Sequence, residues 1–223
     1  LYLPITAKQV MGEAFKNCEN LVSVTLPSLM RLFGPSSGCP ALEAIAISEG
    51  NDLFKSSEGV LFNRDLREIL WFPAGKSGTF EIPSSVMAIG ENTFRDSSLS
   101  TLIFPDGLTS IGRGALAGSR LHEVVLPGGL VNIPEALFQN SGSLHTVYLG
   151  SEAAYIGAYV FDGCLLTDLY LPAQLPPVAD KTAFGNNPAD IYSQCVLHVK
   201  EGAAPLYRKN SFWKNFKNIT TDL

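Results

Sequence analysis

Short apolar runs recur along this chain at a fixed distance, most of them ending at a proline or a glycine. Between Leu99 and Leu166 three consecutive segments repeat one pattern: an apolar run, a polar turn, an isoleucine, then a second apolar pair. They start at Leu99, Leu121 and Leu144, and a fourth starts at Leu166, giving spacings of 22, 23 and 22 residues. The first run of each segment predicts a strand, in which side chains alternate between faces. Leu121, Val124 and Leu126 belong to the inward set, and Glu123 and Val125 point the other way. Pro127 has no amide donor and ends the run. The chain then turns, as at Ile111-Gly112 and Ile156-Gly157, before a second apolar pair such as Val160-Phe161.

A period in the twenties with leucines at set offsets is the signature of a leucine-rich repeat solenoid. One coil cannot bury its apolar face alone, so the coils must stack. The expected fold is an α/β repeat: a right-handed solenoid with a parallel β-sheet on its concave face, over residues 1–223 as one unit. Repeats occupy 1–194, and a final strand and cap occupy 195–223. Phe94, Leu116, Phe138 and Phe161 fall at one back-side position and are expected to form a single buried column.

Two stretches depart from the period. The first follows the unit starting at Leu42. Two apolar runs flank Asn63-Arg64-Asp65, which predicts a β-hairpin inserted at about 59–73. It would replace the back of that coil, with Trp71 and Phe72 covering it. The second is the C-terminal stretch. Cys195–Val199 predicts a last strand. Pro205 suits the first turn of a helix, and Phe216 and Ile219 have helical spacing. An exposed solenoid end would leave core and strand edge open to water. Tyr207, Trp213, Phe216 and Ile219 are therefore expected to build a helical cap. The unit from Leu21 has an irregular back, interrupted at Gly34, Pro35 and Gly38. The chain opens at Leu1-Tyr2-Leu3-Pro4, the tail of a repeat unit, so upstream sequence carrying a cap or signal peptide is expected.

Composition narrows the function classes. Hydrophobic residues make up 46% of the 223, which argues against disorder. The formal charge is −5 with no basic run, which argues against nucleic acid. No apolar stretch approaches the roughly 18 residues that would span a bilayer. Cys18, Cys39 and Cys164 share one repeat position, and Cys195 stands apart. They are expected as free, shielded thiols; a Cys18–Cys39 disulfide is the alternative, since equivalent positions stack. No GxSxG, HExxH or phosphate-binding glycine loop occurs, so no catalytic residue, cofactor or metal is assigned. His122 and His145 share a repeat position beside Glu123, but two histidines without a third ligand make a poor metal site. They are expected as solvated rim residues.

The pattern L-x-x-V-x-L-P, then L-x-x-I-G, then A-x-F with a nearby Cys resembles the BspA-like leucine-rich repeats of bacterial surface proteins. Leu121-Val124-Leu126-Pro127-Leu130-Ile133 and Leu99-Leu102-Phe104-Pro105-Leu108-Ile111-Gly112 carry the resemblance. The EGVLFNRDLREILWFPAG segment is similar to one found in such proteins, as are Val199, Gly202, Tyr207, Trp213, Phe216 and Ile219. Gly150 replaces the strand-ending proline, Pro134 the usual glycine, and Leu116 the expected phenylalanine. The resemblance implies export, an extracellular or cell-surface location, and adhesion to host proteins.

The concave sheet is the default binding surface of a curved solenoid. One outward lane runs Tyr2, Thr25, Ala46, Glu81, Ile103, Val125, Tyr148, Tyr170 and His198. The next runs Ser23, Ala44, Thr79, Thr101, Glu123, Thr146 and Asp168. The candidate site is Ile103, Glu123, Val125, Thr146, Tyr148, Asp168 and Tyr170, with the two tyrosines as anchors. The competing explanation is that Val, Ile, Tyr and Thr simply suit a pleated surface. The function expected is a non-enzymatic module that binds a protein or glycan ligand, such as a host extracellular matrix or mucosal component. The alternative is a structural spacer within a larger surface protein.

Overall fold

The computed structural model describes residues 1–34, 37–186 and 189–223; Pro35, expected to interrupt the second unit, lies outside them. The coils stack into two parallel ladders. The front ladder contains Ser23–Leu26 paired with Ala44–Ile47, then Ser77–Glu81 with Ser98–Ile103. It continues as Glu123–Val125, Thr146–Tyr148, Asp168–Leu171, Val196–Val199 and Asn218–Thr220 in that order. The second ladder is built from two-residue strands and the four-residue Glu68–Trp71. Asn132–Ile133, Tyr155–Ile156 and Val178–Ala179 form one section, and Glu68–Trp71, Ala88–Ile89 and Ser110–Ile111 another.

The α/β expectation overstated the helix. Among the described residues, α-helix is confined to Ala189–Gln194 and Ala204–Lys209. Most back segments are turns instead, for a local reason. Asn92 and Asp96, Gly114 and Gly118, Ala136 and Asn140, and Tyr159 and Gly163 all have positive φ. Two left-handed residues four apart prevent a right-handed helix. They let alternate amides reach the next coil: Phe94 N–H donates to the Ala115 carbonyl (2.8 Å), Leu116 to Leu137 (3.0 Å) and Phe138 to Val160 (3.0 Å).

Between these ladders lies the core. Phe94, Leu116, Phe138 and Phe161 are fully buried. The Phe138 and Phe161 rings stack at 5.9 Å, and Phe161 stacks on Phe184 at 4.9 Å. Three residues beyond this column stands a column of small donors. Cys164 Sγ donates to the Phe138 carbonyl and Ser141 Oγ to that of Leu116, both at 3.1 Å; Cys39 Sγ reaches the Phe15 carbonyl at 3.1 Å. Ser97 occupies the same position, and its buried hydroxyl has no hydrogen-bond partner among the described residues. The coil before it is the one that departs from the period. All four cysteines are free thiols.

At that departure Phe54–Ser57, Val60–Asn63 and Glu68–Trp71 pair antiparallel in sequence order. The last of them also pairs parallel with Ala88–Ile89, in the second ladder. This sheet partitions the core. Val60, Phe62, Ile69 and Phe72 pack into the larger cluster, and Leu61 and Trp71 into the N-terminal one. Trp71 lies flat against Phe15 at 5.8 Å, while Phe72 meets Phe94 at 4.8 Å.

The C-terminal segment differs from the helical expectation beyond Lys209. Trp213–Asn215 is a short 3-10 turn, and Asn218–Thr220 is a strand. Ile219 therefore extends the front ladder, paired with Leu197, rather than continuing a helix with Phe216. The free edge of Val196–Val199 offers more backbone hydrogen bonds than an isolated last turn would. Tyr207, Trp213 and Phe216 are buried against the last coil, and Trp213 Nε1 donates to the Pro177 carbonyl at 2.7 Å.

Candidate functional site

The front ladder places most of the predicted lane residues in register. Val125 pairs with Tyr148, Tyr148 with Tyr170, and Tyr170 with His198. The neighbouring lane aligns Glu123, Thr146 and Asp168. Ile103 belongs to the strand before and pairs with Glu81. Ile103 and Val125 are 46% and 56% exposed, so two aliphatic side chains stand in water beside the aromatic row.

That row is a stack. The rings of Tyr148 and Tyr170 lie 4.0 Å apart at 15°, and those of Tyr170 and His198 4.0 Å apart at 10°. Parallel register at strand spacing forces identical lanes into face-to-face contact. The inner ring faces are therefore spent on one another. The outer face of Tyr148, toward Val125, is the end of the stack. A hydrogen bond with Tyr148, then burial and the nearby Asp168 and Asp222 carboxylates, push the Tyr170 hydroxyl up to about 12.

His198 closes the other end. Its Nε2 lies 2.9 Å from Asp168 Oδ1, and its Nδ1 lies 2.9 and 3.0 Å from the two Asp222 oxygens. The imidazole is buried. Burial pushes the Asp168 carboxyl up, but hydrogen bonds from His198 and Thr167 outweigh it, and Asp168 titrates below its usual value. Asp222 is a contact of His198 that sequence reasoning missed. It follows a strand that was not foreseen, and nothing in Thr220-Thr221-Asp222-Leu223 marks it. His122 and His145 also stack, at 6.2 Å, and among the described residues no group of three His, Cys, Asp or Glu is placed to hold a metal ion.

The ladder is interrupted between Ser98–Ile103 and Glu123–Val125. The front strands Ala44–Ile47 and Ser77–Glu81 are likewise not paired with each other, the Ile47 amide donating to Ser56 Oγ of the inserted sheet at 3.1 Å. At the paired junctions the residue after the outer lane donates its amide to the lane carbonyl of the next coil. Leu3 donates to Thr25 (3.1 Å), Ile82 to Ile103 (3.0 Å), Leu126 to Tyr148 (2.9 Å) and Leu149 to Tyr170 (3.0 Å). Phe104 and Val125 are the equivalent pair at this junction, and no such bond joins them. The second ladder breaks at the same place, between Ser110–Ile111 and Asn132–Ile133.

A departure already visible in the sequence falls at this junction. Gly34, Gly90, Gly112, Gly157 and Asp180 each donate an amide to the preceding coil, at 2.8–2.9 Å. Pro134 stands at that position and has no amide to give. Space is also short there, since a Cβ on Gly34 or Gly157 would meet the neighbouring backbone at 2.5 and 2.8 Å. The junction is held instead by the back turn, where Gly114, Leu116 and Gly118 donate to Glu135, Leu137 and Gln139, and by the Arg113–Glu135 ion pair at 2.9 Å. On the front, the seam opens a depression of about 500 Å³ lined by Thr101, Ile103, Phe104, His122, Glu123 and Val125.

Comparison with solved structures finds the same fold in bacterial proteins. A leucine-rich cell surface protein from Faecalibacterium prausnitzii superposes with a TM-score of 0.74 at 20% identity, over 99% of this chain and 56% of that one. The pneumococcal vaccine antigen PcpA gives 0.66 at 19% identity, over 97% and 60%. A leucine-rich repeat protein from Eubacterium ventriosum gives 0.60 at 18%, over 83% and 63%. The chain thus spans less than two thirds of each of these proteins. Comparison with curated proteins finds no match. The sequence profile of the BspA type leucine rich repeat region matches in six copies, over residues 1–70 and 72–189. With that profile matching most of its length, the chain belongs to the BspA-type leucine-rich repeat family.

Proposed function

We propose that this chain is a non-enzymatic binding module of an exported bacterial cell-surface protein, and that its ligand is a protein held against the front sheet. The observation that carries the proposal is the exposed pair Ile103 and Val125 next to the end of the Tyr148–Tyr170–His198 stack. Exposed apolar surface framed by ordered polar groups is typical of interaction sites. The cell-surface assignment is supported by the kind of protein that shares the fold. A host extracellular matrix or mucosal component is the partner class proposed.

A spacer role is favoured by one feature, the stacking itself. It spends the inner ring faces on cohesion within the sheet, as a purely structural lane would. Binding to an array of host extracellular proteins and mucosal glycans separates the two. Saturable binding that falls in a Tyr148→Ala/Tyr170→Ala variant and in Val125→Asp, with circular dichroism unchanged, supports a ligand surface. No binding, or binding indifferent to these changes, supports the spacer.

A further inference from the structure

At the seam between Ser98–Ile103 and Glu123–Val125 two consecutive front strands face each other with their backbone edges unpaired, and a depression opens between them. From its composition we infer that the seam seats an arginine or lysine side chain from a basic segment of a protein partner. The inference rests on the front sheet being a binding surface and names what that surface selects.

Charge on the front strands is one-sided. Glu81, Glu123 and Asp168 lie on them, and none of the 16 lysines and arginines does. Lys76, Arg120, Lys200 and Lys217 flank strands without entering them. The base on these strands, His198, is already held between Asp168 and Asp222. His122, exposed at the rim of the depression, stacks on His145. Glu123 is exposed and has no ion-pair partner among the described residues.

The lining matches the two parts of a long cationic side chain. Ile103 and Val125 offer apolar surface for its methylene stem, which such residues bury while the charged head stays polar. The Glu123 carboxylate and the unpaired Val125 carbonyl offer acceptors to the head, and a guanidinium has donors in a fixed fork and no acceptor. An acidic or sulfated ligand would meet Glu123 and Glu81 without a lysine or arginine on these strands to answer it. The requirement for a partner's side chain, rather than a strand, follows from the geometry: the flanking coils stay joined through the back turn, so the seam is a slot and not a free edge.

The test uses a fluorescein-labelled nonapeptide, Gly-Ser-Arg-Val-Arg-Val-Arg-Ser-Gly, and the same peptide with citrulline for arginine, which keeps the shape and removes the charge. Fluorescence anisotropy with the intact chain should show binding of the arginine peptide that weakens with salt, and none of the citrulline peptide. Glu123→Gln should weaken it about three- to tenfold, the scale of one screened charge pair with a desolvated contact. Glu201→Gln, just after the Val196–Val199 strand and three coils from the seam, should leave it unchanged. Equal binding of the two peptides, no binding of either, or indifference to Glu123→Gln overturns the inference. If an array partner is lost in the double tyrosine variant yet ignores Glu123→Gln and salt, the binding-module proposal stands and the cationic seat falls.

Discussion

The break at Pro134 makes a sharp prediction about backbone protection. In a continuous ladder an amide exchanges with solvent only when the coil opens. Opening the core of a domain costs up to its global stability, about 5–15 kcal/mol. Leu126 and Leu149 donate into such a ladder, at 2.9 and 3.0 Å. Phe104 is their equivalent and has no acceptor among the described residues. Every 1.4 kcal/mol is about tenfold in rate. Even a local opening cost of about 4 kcal/mol for Leu126 would therefore leave Phe104 exchanging roughly a thousandfold faster. Pro134→Gly restores the missing donor opposite the Ile111 carbonyl. The new hydrogen bond adds about 0.5–1.5 kcal/mol, but the freer unfolded chain offsets about 0.4–1 kcal/mol of it. Global stability by urea titration should hardly move, while protection of Phe104 and Val125 rises at least tenfold, read by amide exchange with mass spectrometry or NMR. Two results would refute the reasoning. One is a wild-type Phe104 amide as protected as Leu126. The other is a Pro134→Gly variant in which the seam amides stay unprotected, which would deny proline its part in the break.

Other expectations follow from the core and the cap. Phe138→Ala, at a fully buried position stacked on Phe161, should cost about 3–5 kcal/mol in chemical denaturation; a loss below 1 kcal/mol would contradict the proposed column. Cys164→Ser keeps a donor for the Phe138 carbonyl and should be nearly neutral, whereas Cys164→Ala should lose about 1 kcal/mol. Burial pushes the thiols of Cys164 and Cys195 from 9.0 up to about 12. The folded state keeps protons that the unfolded state releases, so their contribution is intact below pH 9 and is lost as pH rises from there toward 12. Urea midpoints measured in that window should fall less steeply in the Cys164→Ser/Cys195→Ala variant than in the parent. His198→Gln breaks contacts to two carboxylates and one ring face; it should cost about 1–3 kcal/mol and selectively raise exchange in Asn218–Thr220, whose strand pairs with that of His198.

The chain's own pattern determined the solenoid. A period near 22 residues, with leucines at fixed offsets, admits no other way to bury one face per coil. The inward residues, the back column and the two outward lanes could be numbered from it, because a strand's alternation is local. Local chemistry also placed Pro205 in the first turn of a helix. Tertiary structure decided the rest. The back turns are left-handed at paired positions occupied by residues as unlike as Asn92, Ala136 and Tyr159, so their type was hidden until the stacked amides were seen. Ile219 has helical spacing from Phe216, yet the free edge of Val196–Val199 draws it into a strand. The clamp on His198 joins residues 30 and 24 positions apart, with no sequence signal in Asp222. Pro134 was visible as an exception, but its consequence was not. A missing donor matters only when the neighbouring coil's carbonyl is known to be waiting for it, and that is a fact of packing.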